Sequence, residues 1–404
     1  MIPAVSIALV VAVVLARTVL RWRAAGRAQP WGLVAFLVVL GVAVGMDFGF
    51  DAMVPDSSVR QIVMLALCNV LVALSLNVIN GMAGQFSIGH AGFLALGAYT
   101  SAIVSAHLHD MLGGGDVTFE RSFLVLPPAL LAGAAVAGLF GLIVGLPSLR
   151  LKGDYLAIVT LGFAEIVRLT VATAQVGEAK GFAGLVAKLG GQNGYAGPTD
   201  AGLPLYAGPF WVIGLVGLMA LVAWRIKFSG WGRALRALRE DEIAAAAVGV
   251  DPTRYKVTSF VISAIGGGLA GALIANMRDG SPIVQPDSFT FQTSFDAITM
   301  VILGGSGSVS GAVIGGIFVT ITVKAIELLQ GVAWVQALRG PHHFALFGHD
   351  VDFTVDLNAL RMILYAVVLV VLMISRPEGL LGERELFKRR RKQHAPAKKK
   401  EGEA

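Results

Sequence analysis

One stretch of the chain combines helix-breaking glycines with polar side chains that are able to contact a solute. Residues 81–92 read GMAGQFSIGHAG and interrupt two apolar windows, and the polar residues in and just before them are Asn77, Asn80, Gln85, Ser87 and His90. At membrane depth, broken backbone is tolerated only where it is buried in protein or lines a cavity, and discontinuous helices recur in transport sites. The stretch therefore predicts either a solute pathway or a tight turn near the cytoplasmic surface.

His90 is the one residue of this stretch that could titrate near neutral pH or bind a metal. No second His, Cys or carboxylate stands at ligand spacing from it, so the sequence predicts a hydrogen-bonded packing role and no metal site. The single cysteine, Cys68, lies within an apolar stretch, which excludes an intramolecular disulfide and favours a small core residue.

Two pairs of opposite charges lie inside apolar windows at a spacing of three residues. They are Glu165 with Arg168 and Lys324 with Glu327. An isolated charge is costly in a membrane, so such residues either pair with each other or serve a function. A self-neutralising ion pair is the favoured interpretation for both, while a substrate or gating contact is the alternative. The full set of side chains predicted for a pathway is Asn77, Gln85, Ser87, His90, Glu165 and Arg168.

A charged helix is predicted between Phe228 and Pro252. Ser229 can cap its start, and Gly249 followed by Pro252 ends it in the usual order. Its charged positions are Arg233, Arg236, Arg239, Glu240, Asp241 and Glu242, followed by four consecutive alanines. Such a helix suits either the groove of a soluble partner or the lipid headgroup region, and spacing alone leaves both open.

The elements that must position these residues are long apolar helices. Apolar residues make up 55% of the chain and charged residues 14%, against about 25% charged in ordinary soluble domains. A crossing helix needs about 20 mostly apolar residues, and such windows lie near 3–16, 31–46, 60–80, 86–106, 124–146, 156–175, 208–226, 253–275, 290–304, 309–329 and 359–375. They predict an all-α polytopic transmembrane helical bundle of about 10–11 spans with broken helices. Two windows, 3–16 and 290–304, are short enough to be tilted or re-entrant.

The positive charges give this bundle an orientation, because Lys and Arg accumulate in cytoplasmic loops. If the N-terminus is outside, alternate loops lie on the same side of the membrane, and one of the two sides then holds most of the basic residues. They are Arg17, Arg21, Arg23, Arg27, Arg150, Lys152, Arg225, Lys227, Arg233, Arg236, Arg239, Arg254, Lys256 and the basic tail. This side is predicted to be cytoplasmic, which places the 229–249 helix and the C-terminus there. The net charge of +6 is thus mostly a topology signal, and no nucleic-acid partner is predicted.

Small residues recur at four-residue spacing in Ser263, Gly267, Gly271 and Ala275, and again in Gly307, Gly311 and Gly315. This spacing predicts packing faces at which helix backbones approach closely. Catalytic patterns are not evident in the sequence: it has no nucleophile–base pair, no metal cluster and no Gly-x-x-x-x-Gly-Lys-Ser/Thr loop for ATP. We therefore expect no enzyme activity and no cofactor bound by this chain.

Several segments together resemble the branched-chain amino acid ABC transporter permease family, and its LivM-type branch in particular. They are Gly84–Gly92, Leu149–Thr160 with Glu165 and Arg168, Gly232–Arg239, Ser281–Pro282 with Asp287, Val301–Ser308 and Arg376–Gly382. Ile243–Gly249, followed by a hydrophobic span, is similar to the EAA loop that forms the coupling helix of ABC-importer permeases. Ile243 stands where many importers have Glu, with Glu242 one position earlier.

The resemblance implies the permease subunit of an ATP-dependent importer in the bacterial inner membrane, which translocates branched-chain or other hydrophobic amino acids. It implies a LivH-like second permease, two ATP-binding cassette subunits that use the ATP, and an extracytoplasmic amino-acid-binding protein. Arg168 is a mutation target, because such a substrate carries a carboxylate. The residues that the resemblance assigns to ATPase coupling are Arg233, Arg236, Arg239, Glu240, Glu242, Ala244, Ala245 and Gly249.

The predicted organisation is an N-terminal extension over 1–59 with one or two helices, a permease domain over 60–382, and a basic, solvated cytoplasmic tail over 383–404. Truncation after Gly382 is expected to affect transport little. Urea, amide or aromatic-acid permeases of the same family are the alternative function. An ion-coupled secondary transporter is a further one, for which Glu165, Asp296 and Glu327 would be the intramembrane carboxylates.

Overall fold

The apolar windows of the sequence fold into long helices that pack side by side. The computed structural model describes residues 31–148, 155–174, 189–198, 202–329, 342–346 and 349–353, with scattered positions from 367 to 385. Its helices are α1 Trp31–Met53, α2 Ser57–Leu76, α3 His90–Met111, α4 Phe119–Ser148, α5 Tyr155–Ala172, α6 Pro209–Phe228, α7 Gly230–Glu240, α8 Glu242–Ala247, α9 Pro252–Ala275, α10 Phe291–Gly304 and α11 Val309–Leu329. A π-helical turn, Asn77–Met82, continues α2, and two short 3₁₀ helices span Gly191–Asn193 and Pro286–Phe289.

A small β-hairpin follows the helices. Its strands are β1 His342–Leu346 and β2 His349–Phe353, which pair antiparallel with His342 opposite Phe353 and Leu346 opposite His349. The hairpin is a minor addition to a helical chain, so the predicted helical bundle is confirmed.

Six helical stretches among the described residues are long and apolar enough to cross a membrane. They are Ser57–Met82, His90–Met111, Phe119–Pro147, Tyr155–Ala172, Pro209–Phe228 and Pro252–Ala275. The predicted short window near 290–304 forms α10, whose 14 residues extend about 21 Å and fall short of a full crossing. The predicted window 3–16 and most of 359–375 lie outside the described residues.

Helix α9 is the centre of the bundle and packs against α2, α3 and α4. Glycine makes this approach possible, because a Cβ at Gly271 would lie 2.0 Å from the carbonyl oxygen of Leu94 in α3. At Gly315 in α11, a Cβ would lie 1.9 Å from the carbonyl oxygen of Met300 in α10. Both predicted small-residue stripes are therefore confirmed as packing faces.

The predicted single helix from Ser229 to Gly249 is two helices, and this corrects the sequence-based prediction. Asp241 leaves the helical conformation with φ −152° and ψ 113° and becomes the N-cap of α8. Its carboxylate accepts hydrogen bonds from the backbone N–H groups of Ile243, at 2.8 Å, and Ala244, at 3.0 Å. An aspartate favours a cap over a helix interior because its short side chain competes for nearby backbone donors.

The predicted solvated tail is wrong at one position, Glu385, whose side chain is only 1% exposed. Its carboxylate pairs with Lys227 Nζ at 2.6 Å and accepts hydrogen bonds from the backbone N–H groups of Val309, at 2.8 Å, and Ser310, at 2.9 Å. It thereby caps the start of α11, where free N–H groups and the helix dipole favour an anion. The other residues of the predicted tail lie outside the described ones.

Burial by itself would raise the pKa of the Glu385 carboxyl, but the hydrogen bonds from Lys227, Ser310 and Val309 together hold that pKa below its ordinary value. A lowered folded-state pKa means that ionised Glu385 stabilises the fold above the ordinary carboxyl pKa. This stabilisation is lost as the pH falls through the folded-state value.

Glu385→Gln is therefore expected to lower the free energy of unfolding at neutral pH by about 2 kcal/mol, because charge-assisted hydrogen bonds to Lys227 and to α11 are weakened. Thermal unfolding in detergent would measure the loss, and the difference from the unaltered protein should shrink as the pH is lowered through the folded-state pKa of Glu385. Truncation after Gly382 should match this loss, whereas truncation after Lys388 retains Glu385 and should not. Equal unfolding temperatures for the two truncations would contradict the anchoring role.

Candidate functional site

Helices α7 and α8 form a surface at the end of the bundle where α6 ends and α9 begins, here called the coupling surface and defined as Gly230–Gly249. The Ser229 hydroxyl accepts a hydrogen bond from the Gly232 N–H at 3.2 Å and caps α7. Leu235 and Leu238 are buried beneath the helix. Because leucines at this spacing fix one face of α7 inward, its opposite face is charged and exposed, at Arg233, Arg236 and Glu240.

Apolar side chains on α8 and just beyond it extend the coupling surface. Ile243 is 82% exposed and Val248 is 79% exposed, while Ala244 and Glu242 are also exposed and Ala245 is buried. Large apolar residues with this exposure beside charged ones are typical of a surface that a partner covers. Ile243, which departs from the glutamate of many importers, is thus one of the most exposed apolar side chains in the described structure.

The coupling surface is fixed at both ends of α8. Glu242 pairs with Lys256 Nζ at 2.6 Å, which ties α8 to α9. Gly249 has φ of +89°, a left-handed conformation that ends α8 and that a side chain would strain. The start of α8 is therefore tied to α9, and its end is set by the conformation of Gly249.

Arg239 differs from the other two arginines of α7, because it faces the interior. Its Nη1 donates a hydrogen bond to the carbonyl oxygen of Gly81 at 2.8 Å, and the residue is half-buried. Arg239, which the sequence assigned to ATPase coupling together with Arg233 and Arg236, joins the coupling surface to the π-helical turn. Gly84, with φ of +68°, packs against its side chain, and a Cβ there would lie 2.4 Å from Arg239 Cγ.

Asn77 locks this turn to the loop between α10 and α11. Its Nδ2 donates to the carbonyl oxygen of Ser308 at 3.0 Å, and its Oδ1 accepts from the Gly307 N–H at 2.8 Å. The side chain is fully buried. Asn77 thus satisfies backbone groups of the loop between α10 and α11 and joins that loop to the end of α2 just before the predicted break.

The break itself runs from Met82 to His90, where α3 begins, and its polar groups bond to residues outside it, such as Thr160 of α5, whose Oγ1 accepts from the Ile88 N–H at 3.1 Å. Asn80 Oδ1 accepts from the Ser87 N–H at 3.3 Å, and Asn80 Nδ2 donates to the Ser87 carbonyl at 3.4 Å. Gln85 is buried, and among the described residues its Oε1 has no hydrogen-bond partner. Ser87 is also buried, whereas Phe86 is 45% exposed, so one side of the break packs into protein and the other is open.

His90 has the hydrogen-bonded packing role that the sequence predicts. A ring nitrogen, Nε2, lies 2.9 Å from Ser75 Oγ, and the residue is 2% exposed. It packs against Gly267 of α9, where a Cβ would lie 2.9 Å from His90 Cε1. The described residues contain no group of three metal-ligating side chains.

Glu165 and Arg168 form the predicted ion pair within α5. Arg168 Nε donates to Glu165 Oε1 at 3.0 Å, and its Nη1 also reaches Asp287 Oδ1 at 3.5 Å, so the pair extends to the second 3₁₀ helix. The side chains of Glu165 and Arg168 are 35% and 19% exposed. For the second predicted pair, the side chain of Glu327 lies outside the described residues.

Among the described residues, one cavity lies beside the coupling surface and another lies near the middle of the bundle. The first, of about 110 Å³, adjoins the coupling surface and is lined by Gly81, Lys227, Arg236, Arg239, Gly307 and Glu385, among others. The second, of about 300 Å³, lies between α2, α10 and α11 and includes Asn69, Asp296 and Lys324. Neither is lined by Asn77, Gln85, Ser87, His90, Glu165 or Arg168.

The second cavity was missed as a site because its polar residues are scattered through three apolar helices. Asn69 comes from α2, Asp296 from α10 and Lys324 from α11. The sequence does show a polar residue inside each of these apolar windows. It does not show which of these residues face one another, because that depends on how the helices pack.

Comparison with known families and proteins gives a consistent result. A family model described as branched-chain amino acid transport system / permease component matches residues 58–373. The chain is 35% identical to the high-affinity branched-chain amino acid transport system permease protein LivM of Escherichia coli, over 87% of this chain and 75% of that one. It is 24% identical to the LivH permease of Salmonella typhimurium, over 79% of this chain and 92% of that one.

A more distant relative is the ribose import permease protein RbsC of Haemophilus influenzae, 28% identical over 67% of this chain and 80% of that one. Comparison with solved structures gave no match. The family model covers most of the chain, and the LivM relative is similar over nearly all of it, which confirms the resemblance that the motifs carry. The chain therefore belongs to the family of permease components of branched-chain amino acid transport systems.

Proposed function

We propose that the chain is the membrane-spanning permease subunit of an ATP-dependent importer of branched-chain or related hydrophobic amino acids. Family membership supports the permease role, and the names of the LivM and LivH relatives support this class of substrate. The observation that carries the ATP-driven part is the coupling surface, on which exposed Ile243 and Val248 adjoin exposed Arg233 and Arg236.

The proposed importer contains four further subunits besides this chain. A LivH-like permease pairs with it in the membrane, two ATP-binding cassette subunits bind the cytoplasmic side, and an extracytoplasmic binding protein delivers the amino acid. The chain has no phosphate-binding loop of its own, which supports ATP hydrolysis in trans. In this assembly the N-terminus is outside, the C-terminus is cytoplasmic, and the coupling surface faces the ATPases.

Contacts of Arg239 and Asn77 give the coupling surface a route into the bundle. When the ATPases close, α7 and α8 move together, and the Arg239–Gly81 hydrogen bond passes the displacement to the π-helical turn. The Asn77 bonds to Gly307 and Ser308 then pass it to the loop that joins α10 and α11. Conversion between π-helical and α-helical turns requires only a small shift of backbone hydrogen bonds, so this segment is suited to two states.

Val248→Asp is expected to weaken association with the ATPase subunits about tenfold, because a charge replaces an apolar side chain that the partner would cover. Copurification of the assembled complex from detergent-solubilised membranes would measure this. The matched control is Val117→Asp, since Val117 is 44% exposed in the loop between α3 and α4 and should not affect assembly. Unchanged association of the Val248→Asp variant would show that the ATPases do not bind the coupling surface at Val248.

Arg239→Gln is expected to separate ATPase binding from transport. The ATPases should still copurify, because Arg239 lies beneath the exposed face, but amino acid uptake per ATP hydrolysed should fall about tenfold when the bond to Gly81 is lost. Uptake and ATP hydrolysis would be measured in the same proteoliposomes.

The comparison variant is Arg233→Gln, on the exposed face of the same helix, which should weaken assembly and leave the uptake per ATP of the assembled complex unchanged. A normal ratio of uptake to hydrolysis in the Arg239→Gln complex would show that this bond does not transmit the movement.

A further inference from the structure

The cavity between α2, α10 and α11 has the size and lining of a small-molecule site. Its volume of about 300 Å³ is at the lower end of the range for ligand pockets, roughly 300–1,000 Å³. Most of its wall is aliphatic or otherwise apolar, with contributions from Val72, Leu94, Ile274, Met300 and Val319. A branched aliphatic side chain would be matched by such a wall through dispersion and burial.

Two opposite charges lie on the walls of the same cavity. Asp296 comes from α10 and Lys324 from α11, and both are half-buried. Between helices α2 and α11, Asn69 Nδ2 donates to Thr320 Oγ1 at 2.9 Å, which adds an amide and a hydroxyl to the lining. A carboxylate, an ammonium group and an apolar wall are the three features that an aliphatic α-amino acid would meet in complementary form.

The cavity begins near the middle of the bundle and extends away from the coupling surface. Asn69 is twelve residues before Gly81 in α2 and its continuation, a separation of roughly 18 Å along the helix axis. Lys324 is near the end of α11, whereas Glu385 and Gly307 lie at its start. In the proposed orientation the cavity therefore lies at about mid-depth in the bundle and extends outward toward Lys324, on a path that a solute crossing the bundle could follow.

We propose that this cavity is a transit site for a zwitterionic amino acid with an aliphatic side chain. Lys324 faces the substrate carboxylate, Asp296 faces its ammonium group, and the apolar wall receives the side chain. The assignment rests on the proposed import function and adds to it the residues that meet the substrate. The competing interpretation is that Asp296 and Lys324 do not contact the substrate and only neutralise charge within the bundle.

The first test uses the complete importer in proteoliposomes, with leucine as substrate. Asp296→Asn and Lys324→Gln should each lower leucine uptake about tenfold or more, because a charge-assisted contact to the substrate is lost. Assembly with the ATPases should be unaffected. Asp116→Asn, which removes an exposed carboxylate from the loop between α3 and α4, is the matched control and should transport normally.

A second test has a readout that a purely structural pair would not change. Ala297 lines the cavity and is 1% exposed, so Ala297→Val narrows the space for the side chain of the substrate. Uptake of leucine should fall several-fold more than uptake of alanine, at unchanged assembly. Ala325→Val places the same added volume on an exposed position of α11 and should leave the ratio of the two rates unchanged.

The outcomes separate this assignment from the function on which it rests. If the unaltered importer takes up leucine but Ala297→Val preserves the leucine-to-alanine ratio, and both charge variants transport normally, the cavity is not the transit site although the import function stands. If the unaltered importer takes up no amino acid while its ATPases are bound and active, the proposed function itself fails. A changed ratio together with impaired charge variants supports the site.

Discussion

Within a membrane, a helix can be interrupted only where other protein groups satisfy the backbone N–H and C=O groups that the interruption frees. In this chain Arg239 satisfies a carbonyl beside the break after α2, and Asn77 satisfies backbone groups of the loop between α10 and α11. Asn77 bonds to both Gly307 and Ser308, and Arg239 bonds to Gly81. One bond comes from the coupling surface and the others reach the loop between α10 and α11. The requirement to satisfy the break therefore connects the surface of the protein to its interior.

Close packing makes this connection mechanically effective. Glycines at the α3–α9 and α10–α11 contacts bring backbones so near that a Cβ would overlap a carbonyl oxygen. Helices in such contact cannot deform gradually, so a displaced turn must shift its neighbours together. Glu385 contributes at the same end of the bundle, since it ties the end of α6 to the start of α11 through Lys227 and the first N–H groups of α11.

The sequence predicted the features that depend on local chemistry. The apolar windows predicted the helices, and the glycines between residues 81 and 92 predicted the break. The spacing of Glu165 and Arg168 predicted their ion pair. Asp241 was assigned to a continuous helix because an acidic residue fits either a charged helix or a cap, and only the folded backbone shows that it caps α8. Local spacing could not decide between these two roles.

Features that depend on distant partners were not predictable in this way. Glu385 lies in a basic segment with the composition of a solvated tail, and its partner Lys227 is 158 residues away in the chain. Arg233, Arg236 and Arg239 recur at the same three-residue spacing in one helix, so the sequence does not distinguish them. Of the three, Arg239 donates the hydrogen bond to the Gly81 carbonyl oxygen. The cavity with Asp296 and Lys324 arises only when α2, α10 and α11 come together.

We propose that this chain conducts an amino acid only when separate ATPases do work on it. The direct measurement is leucine uptake into proteoliposomes that contain either the assembled importer with its binding protein or this chain alone. We expect the assembly to show uptake that requires ATP and persists when proton and sodium gradients are abolished, and the isolated chain to show none. Leucine accumulation by the isolated chain, driven by an ion gradient without ATP, would contradict it.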